Sequence, residues 1–193
     1  MINYKTGSAQ DKQLKAKDNI TIQSYNSVWP KLALAEINAI KTIASRLPFV
    51  SIEHIGSTAV PELSSKPIID IFISIQSIKE AVNWIAPLES LGYLYWEENP
   101  DKTHLRFFKG MPPFGEERTH HVHIVESSNN TMEHRVLFRN ILRADTKARL
   151  EYESLKLKLA RAHLIDRVAY TDNKLDFITS ILRANGYTKP ISR

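Results

Sequence analysis

Residues 53–75 read EHIGSTAVPELSSKPIIDIFISI, and the place of one carboxylate in that stretch decides how the rest of the chain is read. Ile68, Ile69, Ile71, Phe72, Ile73 and Ile75 form a β-branched and aromatic run without polar alternation, the pattern of a strand covered on both faces. Asp70 interrupts it. An ionised carboxylate in such a strand is costly unless it is paired, hydrogen-bonded, bound to a cation or set at a strand end open to a cleft. Upstream, residues 50–55 make a short apolar strand, after which Gly56-Ser57-Thr58 opens a Thr-Ala-Val-Pro segment, a tight strand-to-helix turn with backbone N–H groups to offer. Glycine lets the backbone approach an anion and the hydroxyls add donors. The stretch therefore reads as an anion-binding turn (Gly56, Ser57, Thr58) beside an acid.

The remaining chain is read outward from this point. Its 193 residues suit one domain, with 42% hydrophobic and 24% charged content ordinary for a globular chain. Residues 1–19 are polar and are expected to form a flexible arm without chemistry, leaving residues 20–193 as the domain. No apolar run approaches the roughly 20 residues that cross a bilayer, and no secretory signal is visible. The absence of cysteine excludes disulfides and thiolate metal sites, which fits a cytoplasmic protein. The net charge of +5 is concentrated after residue 130, where thirteen Lys/Arg face seven Asp/Glu. An excess this small favours anionic small ligands over dedicated nucleic-acid binding, and no membrane partner is expected.

In chain order, residues 20–25 suggest a short strand, and Ser27 caps a helix in which Ala33, Ile37, Ile40, Ala44 and Leu47 recur at helical spacing. Ser77 is expected to cap a second helix reaching Leu91, stopped by Gly92. Tyr93–Trp96 and His104–Phe108 read as an aromatic hairpin, and residues 109–118, with two glycines and two prolines, as a loop. From Thr119 a strand returns, and period two puts His121, His123 and Val125 on one face. Three helices follow: one from Thr131 with Arg135, Arg139 and Arg143 as an i, i+4, i+8 stripe, one over residues 146–162, and one capped by Thr171 that stops by Gly186. The plan is α+β, a mixed sheet with flanking helices and a C-terminal helical segment.

HIGSTAVP followed by KPIIDI, the opening YNSVWP, the histidine strand HHVHIV, the helix LFRNILRA, Asp166-Arg167 and YTDNK together resemble the GrpB family, named for a glutamate-rich protein and placed in the nucleotidyltransferase superfamily. The likeness runs in family order over residues 20–184. It implies a nucleotidyltransferase-like fold in which the Gly56-Ser57 turn holds a nucleotide triphosphate and Asp70 is the first metal-binding acid. That superfamily normally presents a second acid two residues on, where this chain has Phe72. The place of its third acid falls on the histidine strand. His121 and His123 share a face and can join Asp70 around a divalent ion. Imidazole plus carboxylate suits Zn, Mn or Fe, whereas phosphate chemistry on a carboxylate points to Mg or Mn, and Mg or Mn is the expectation ahead of Zn; hydrogen bonding or proton transfer by the histidines is the other reading.

The candidate phosphate-binding cations are Lys66, Arg106, Arg139, Arg143, Arg167 and Lys174, with Arg139 and Lys174 favoured because they lie in family-like motifs. The opposing reading of Asp70 is a salt bridge to Lys66 or to a late-helix arginine. The expected function is binding of a nucleotide or other phosphorylated small molecule, with metal-dependent nucleotidyl transfer at Asp70 if turnover occurs. The alternatives are a non-catalytic phosphate-ligand sensor or adaptor, and a histidine-metal hydrolase.

Overall fold

The computed structural model describes residues 20–191, so the arm expected over residues 1–19 and the side chain of Arg167 lie outside the description. The chain begins with α1 (Trp29–Ile43), continues through β1 (Ser51–Ile55) and a 3₁₀ turn (Ser57–Ala59), and enters β2 (Ile69–Ile75). A 3₁₀ segment (Ile78–Trp84), α2 (Ile85–Ser90), the hairpin β3 (Tyr93–Tyr95) and β4 (His104–Lys109), and β5 (His120–Glu126) follow. Four helices close the chain: α3 (Thr131–Ala144), α4 (Thr146–Ala162), α5 (Arg167–Asp172) and α6 (Leu175–Ala184). This is the α+β plan, and no described helix is long and apolar enough to cross a membrane.

The five strands form one mixed sheet in the order β1-β2-β5-β4-β3, with β2 and β5 parallel and every other pairing antiparallel. Because side chains alternate along a strand, β2 sends two different sets to its two faces. Ile69, Ile71, Ile73 and Ile75 join Val122, Ile124 and Phe107 beneath Trp29, Ala33 and Ile40 of α1 and Trp84 and Leu88 of the second helical segment. This is the main core; full burial of each such side chain stabilises the fold by about 1.5–3 kcal/mol. The other face carries Asp70 and Phe72, with His121, His123 and Val125 in register beside them on β5. There Met132 and Val136 of α3 seal Ile55, Phe72 and Val125. The late helices pack on one another and on Val60 and Leu63 just after the turn. A strand covered on both faces therefore has one dry side and one side whose end is left to polar groups.

Several local expectations are corrected. Residues 20–25 contribute only an isolated bridge, Gln23 to Ser65, and the Asn26 carboxamide rather than Ser27 accepts from the start of α1, at Val28 N (2.9 Å). The helix expected from Ser77 is split: Pro87 has no N–H to give to the preceding turn, and the Ile78 N–H is taken by the Glu126 carboxylate at 2.9 Å. The last helix is also two helices. Asp166 caps α5 through Val168 N (3.1 Å) and Ala169 N (2.9 Å), Thr171 lies inside it, and the chain restarts at Leu175.

Candidate functional site

Gly56 ends β1 with φ +79°, a conformation that L side chains resist. It is held there against the acid, because a Cβ at this position would stand 2.5 Å from Asp70 Oδ2. The turn and the strand carboxylate are thus one unit. Ser57 lies beside the Tyr152 hydroxyl, whose pKa burial pushes up to about 12. Thr58 is spent on the fold: its hydroxyl donates to Ile68 O (3.1 Å) and lies 3.0 Å from His54 Nε2. His54 is pushed down to about 4 by burial, against the pull of Asp70, and so gives its N–H to Thr58 as a neutral ring.

Asp70 is paired in register with Ile55 on one side and His121 on the other. Its Oδ1 accepts from His121 Nδ1 at 3.0 Å. Burial pushes this carboxyl up, but the His121 hydrogen bond and the nearby charges, Lys66 among them, together hold it below the usual carboxylate range. Burial pushes His121 down, so the pair is an ionised carboxylate and a neutral imidazole donor. That tautomer leaves His121 Nε2 with its lone pair, buried and without a hydrogen-bond partner; His123 Nδ1 is buried and unpartnered as well. His123, held well below its ordinary pKa by burial first and by His121 next, stacks on Phe72 at 4.3 Å with an interplanar angle of 15°. Asp70, His121 and His123 each present a donor atom within 4.8 Å of the other two. Two imidazoles and a carboxylate on adjacent strands fit a divalent cation.

A set of cations lies on the late-helix side of the same acid. The ammonium groups of Lys66 and Lys174 both lie over the Tyr170 ring, 5.0 and 4.2 Å from its centroid. Lys174 is pushed down to about 7 by burial and by Lys66 and Lys156, with Asp70 opposing. Lys156, buried in α4, also falls to about 7 through burial, although Glu153 resists, and it donates to the Ser64 carbonyl. Arg135 lies 5.3 Å over the Phe72 ring, and burial lowers its pKa despite Asp70.

The arginine stripe of α3 thus faces the sheet. Arg139 donates to Glu53 Oε2 (2.9 Å) and His54 O (2.7 Å), and Arg143 grips Ala59 O from Nε and Nη2 at 2.9 and 2.7 Å. Arg139, favoured from sequence as a phosphate ligand, is engaged in clamping α3 to β1. Arg106 lies in register with His123, and its Nε donates to His104 Nε2, while His104 Nδ1 is 2.9 Å from Asp101. Lys156, Arg135 and Tyr152 were not singled out as site residues. Arg135 was visible as part of the stripe, and Lys156 and Tyr152 carry no signal beyond their spacing on α4.

Comparison with known proteins agrees with this architecture. A UPF0157 protein of Pseudomonas aeruginosa is 43% identical over 165 residues, covering 86% of this chain and 67% of that protein. The crystal structure of conserved protein GrpB from Enterococcus faecalis superposes with a TM-score of 0.73 at 32% identity, over 85% of this chain and 96% of that chain. The Cid1 poly(U) polymerase, crystallised with Mg and 3'-dATP bound, shares the fold alone: TM-score 0.51 at 10% identity, over 77% of this chain and 46% of that one. The fold is nucleotidyltransferase-like. The family profile described as GrpB protein matches residues 19–184, and this chain belongs to the GrpB family.

Proposed function

We propose that this protein binds a nucleotide or another phosphorylated small molecule in the cleft between the Asp70 end of the sheet and the late helices. The observation that carries the reading is the convergence of Lys66 and Lys174 on one aromatic ring, with Lys156 close enough to depress Lys174. Cations crowded together repel one another and are costly to bury. A phosphate group would relieve both costs. Tyr170 gives the two ammonium groups a π face in the meantime, and the Gly56-Ser57 turn would supply backbone N–H groups and a hydroxyl beside them. Cid1, bound to Mg and 3'-dATP on the same fold, is consistent with this placement but lends only the fold.

In this reading Asp70 is the anchor for a divalent ion that would bridge to ligand phosphates. Its ionised state and its position against the turn support that role. Phe72 occupies the place of a second acid and stacks on His123, so a two-metal carboxylate site does not form from β2. That observation favours a second reading in which the family binds its phosphorylated ligand as a sensor or adaptor without transfer.

A thermal-shift screen of nucleoside mono-, di- and triphosphates and coenzyme A derivatives, with and without divalent ions, tests the reading. A ligand at about 100 times its Kd should raise Tm by roughly 5–10 °C. The Lys66→Ala/Lys174→Met variant should lose that shift. No stabilisation by any phosphorylated compound, or a shift undiminished in the variant, would remove the reading.

A further inference from the structure

We propose that Asp70, His121 and His123 form a mononuclear site for a borderline transition-metal dication of the Zn²⁺, Co²⁺ and Fe²⁺ class, filled without any nucleotide and closed to Mg²⁺. The site rests on the preceding reading only for its place in the cleft. Its three residues lie on neighbouring parallel strands, with Asp70 directly opposite His121 and Phe72 opposite His123. Their donor atoms already lie within 4.8 Å of one another.

Two features separate this arrangement from a packed histidine pair. His123 Nδ1 is buried without a hydrogen-bond partner, which a protein interior tolerates poorly unless something else satisfies the group. Asp70 Oδ1 lies 3.0 Å from His121 Nδ1, so an ion held between them takes the place of the proton they share, as metal binding to histidine requires. The rings are also held in orientation. Phe72 stacks on His123, and Phe108 meets His121 edge-on with centroids 5.0 Å apart. The residue in the second-acid place therefore supports an imidazole. The cluster is reachable, since the Asp70 side chain retains 30% exposure against 15% for His121.

Donor chemistry sets the selectivity. Mg²⁺ requires a shell of oxygens and gives up its water reluctantly, whereas imidazole nitrogen suits Zn²⁺, Co²⁺ and Fe²⁺. The cations around the site, Lys66, Arg106, Arg118 and Arg135, oppose any bare dication. They oppose Mg²⁺ and Zn²⁺ alike, so they lower affinity without reversing the preference. Three protein donors leave positions open for water or for a phosphate oxygen.

The test uses tag-free full-length protein stripped with chelator, because an affinity tag of histidines would itself hold metal. Co²⁺ is titrated in without nucleotide while visible absorption is followed, and metal retained after dialysis against Zn²⁺ with a 100-fold excess of Mg²⁺ is counted by mass spectrometry. The expected result is one ion per chain, a cobalt spectrum distinct from the aquo ion, and no displacement by Mg²⁺. His121→Ala and His123→Gln should each abolish retention, with folding checked by circular dichroism, while His163→Ala, at the C-terminal end of α4 and outside the cluster, should retain it. No retained ion, retention surviving the folded His121 and His123 variants, or displacement by Mg²⁺ would each overturn the proposal. None of those results bears on the nucleotide screen, which would then stand or fall alone.

Discussion

Gly56 and Asp70 are pressed together, so that a methyl group on the glycine would stand 2.5 Å from Asp70 Oδ2. Two residues fourteen positions apart in sequence thereby share one surface, and the acid cannot move toward the turn. Gly56→Ala should accordingly cost more than its positive φ alone. Gly186 has nearly the same φ (+81°) and nothing within 4 Å of the added atom, so Gly186→Ala measures the backbone term, about 1–3 kcal/mol. The expected outcome of chemical denaturation is a larger loss for Gly56→Ala, together with loss of ion retention in that variant only. Equal losses would show that the carboxylate yields freely.

Asp70→Asn should separate stability from binding. Removing one partner of a buried ion pair costs about 3–5 kcal/mol, but His121 is a neutral donor and asparagine still offers it an oxygen. The stability loss at pH 7 should stay near that of one hydrogen bond, about 1 kcal/mol. Because the folded carboxyl lies below its ordinary 3.8, the unfolded state binds the proton first as acid is added. The contribution of Asp70 is therefore complete above about pH 4 and declines as pH falls through the folded value. Denaturation curves of parent and variant should converge below pH 4 and stay parallel above it.

The lysines give the opposite pH window. Lys174 and Lys156 are held at about 7 against an ordinary 10.5, so the unfolded chain binds more protons between those values. Stability should rise with pH from about 7 toward 10, and Lys174→Met should stabilise the free protein at pH 7 by about 1–3 kcal/mol. A bound phosphate should reverse the preference by raising both pKa values. Calorimetry at pH 8 in buffers of different ionisation enthalpy should show proton uptake on ligand binding, with affinity weaker at pH 9 than at pH 6.5.

Arg139→Ala should behave as a scaffold mutation. Its guanidinium holds Glu53 and the His54 carbonyl, and loss of charged hydrogen bonds of this kind costs about 1.5–3 kcal/mol. Ligand-induced thermal shifts should keep their size in this variant even as the baseline Tm drops. A shrunken shift would return Arg139 to the ligand.

The five strands of the sheet and the common face of His121 and His123 were legible because period two and an unbroken apolar run are local signals; that Asp70 joins that face followed only from the family resemblance, and it is the pairing of β2 with β5 that places it there. The bounds of α4 were legible from helical spacing, which is local as well. The cation cluster was legible only in part. Lys66 and Lys174 lie in distinctive local sequence, but Lys156 looks like any lysine of a surface helix until α4 folds back over Ser64. The arginine stripe was visible as a stripe, while its target was not, because carbonyls of β1 and the turn leave no mark in sequence. Thr171, expected as a cap, lies inside α5 because the chain turns helical earlier, at Asp166, whose carboxylate reaches two backbone N–H groups.

The central claim is that metal and phosphate sites meet at Asp70. Diffraction at the cobalt absorption edge, from crystals grown with Co²⁺ and a non-hydrolysable nucleoside triphosphate, tests it most directly. The account predicts one anomalous peak among Asp70, His121 and His123, with phosphate density between it and the ammonium groups of Lys66 and Lys174. Phosphates bound elsewhere, or a cobalt peak away from the three residues, would contradict it.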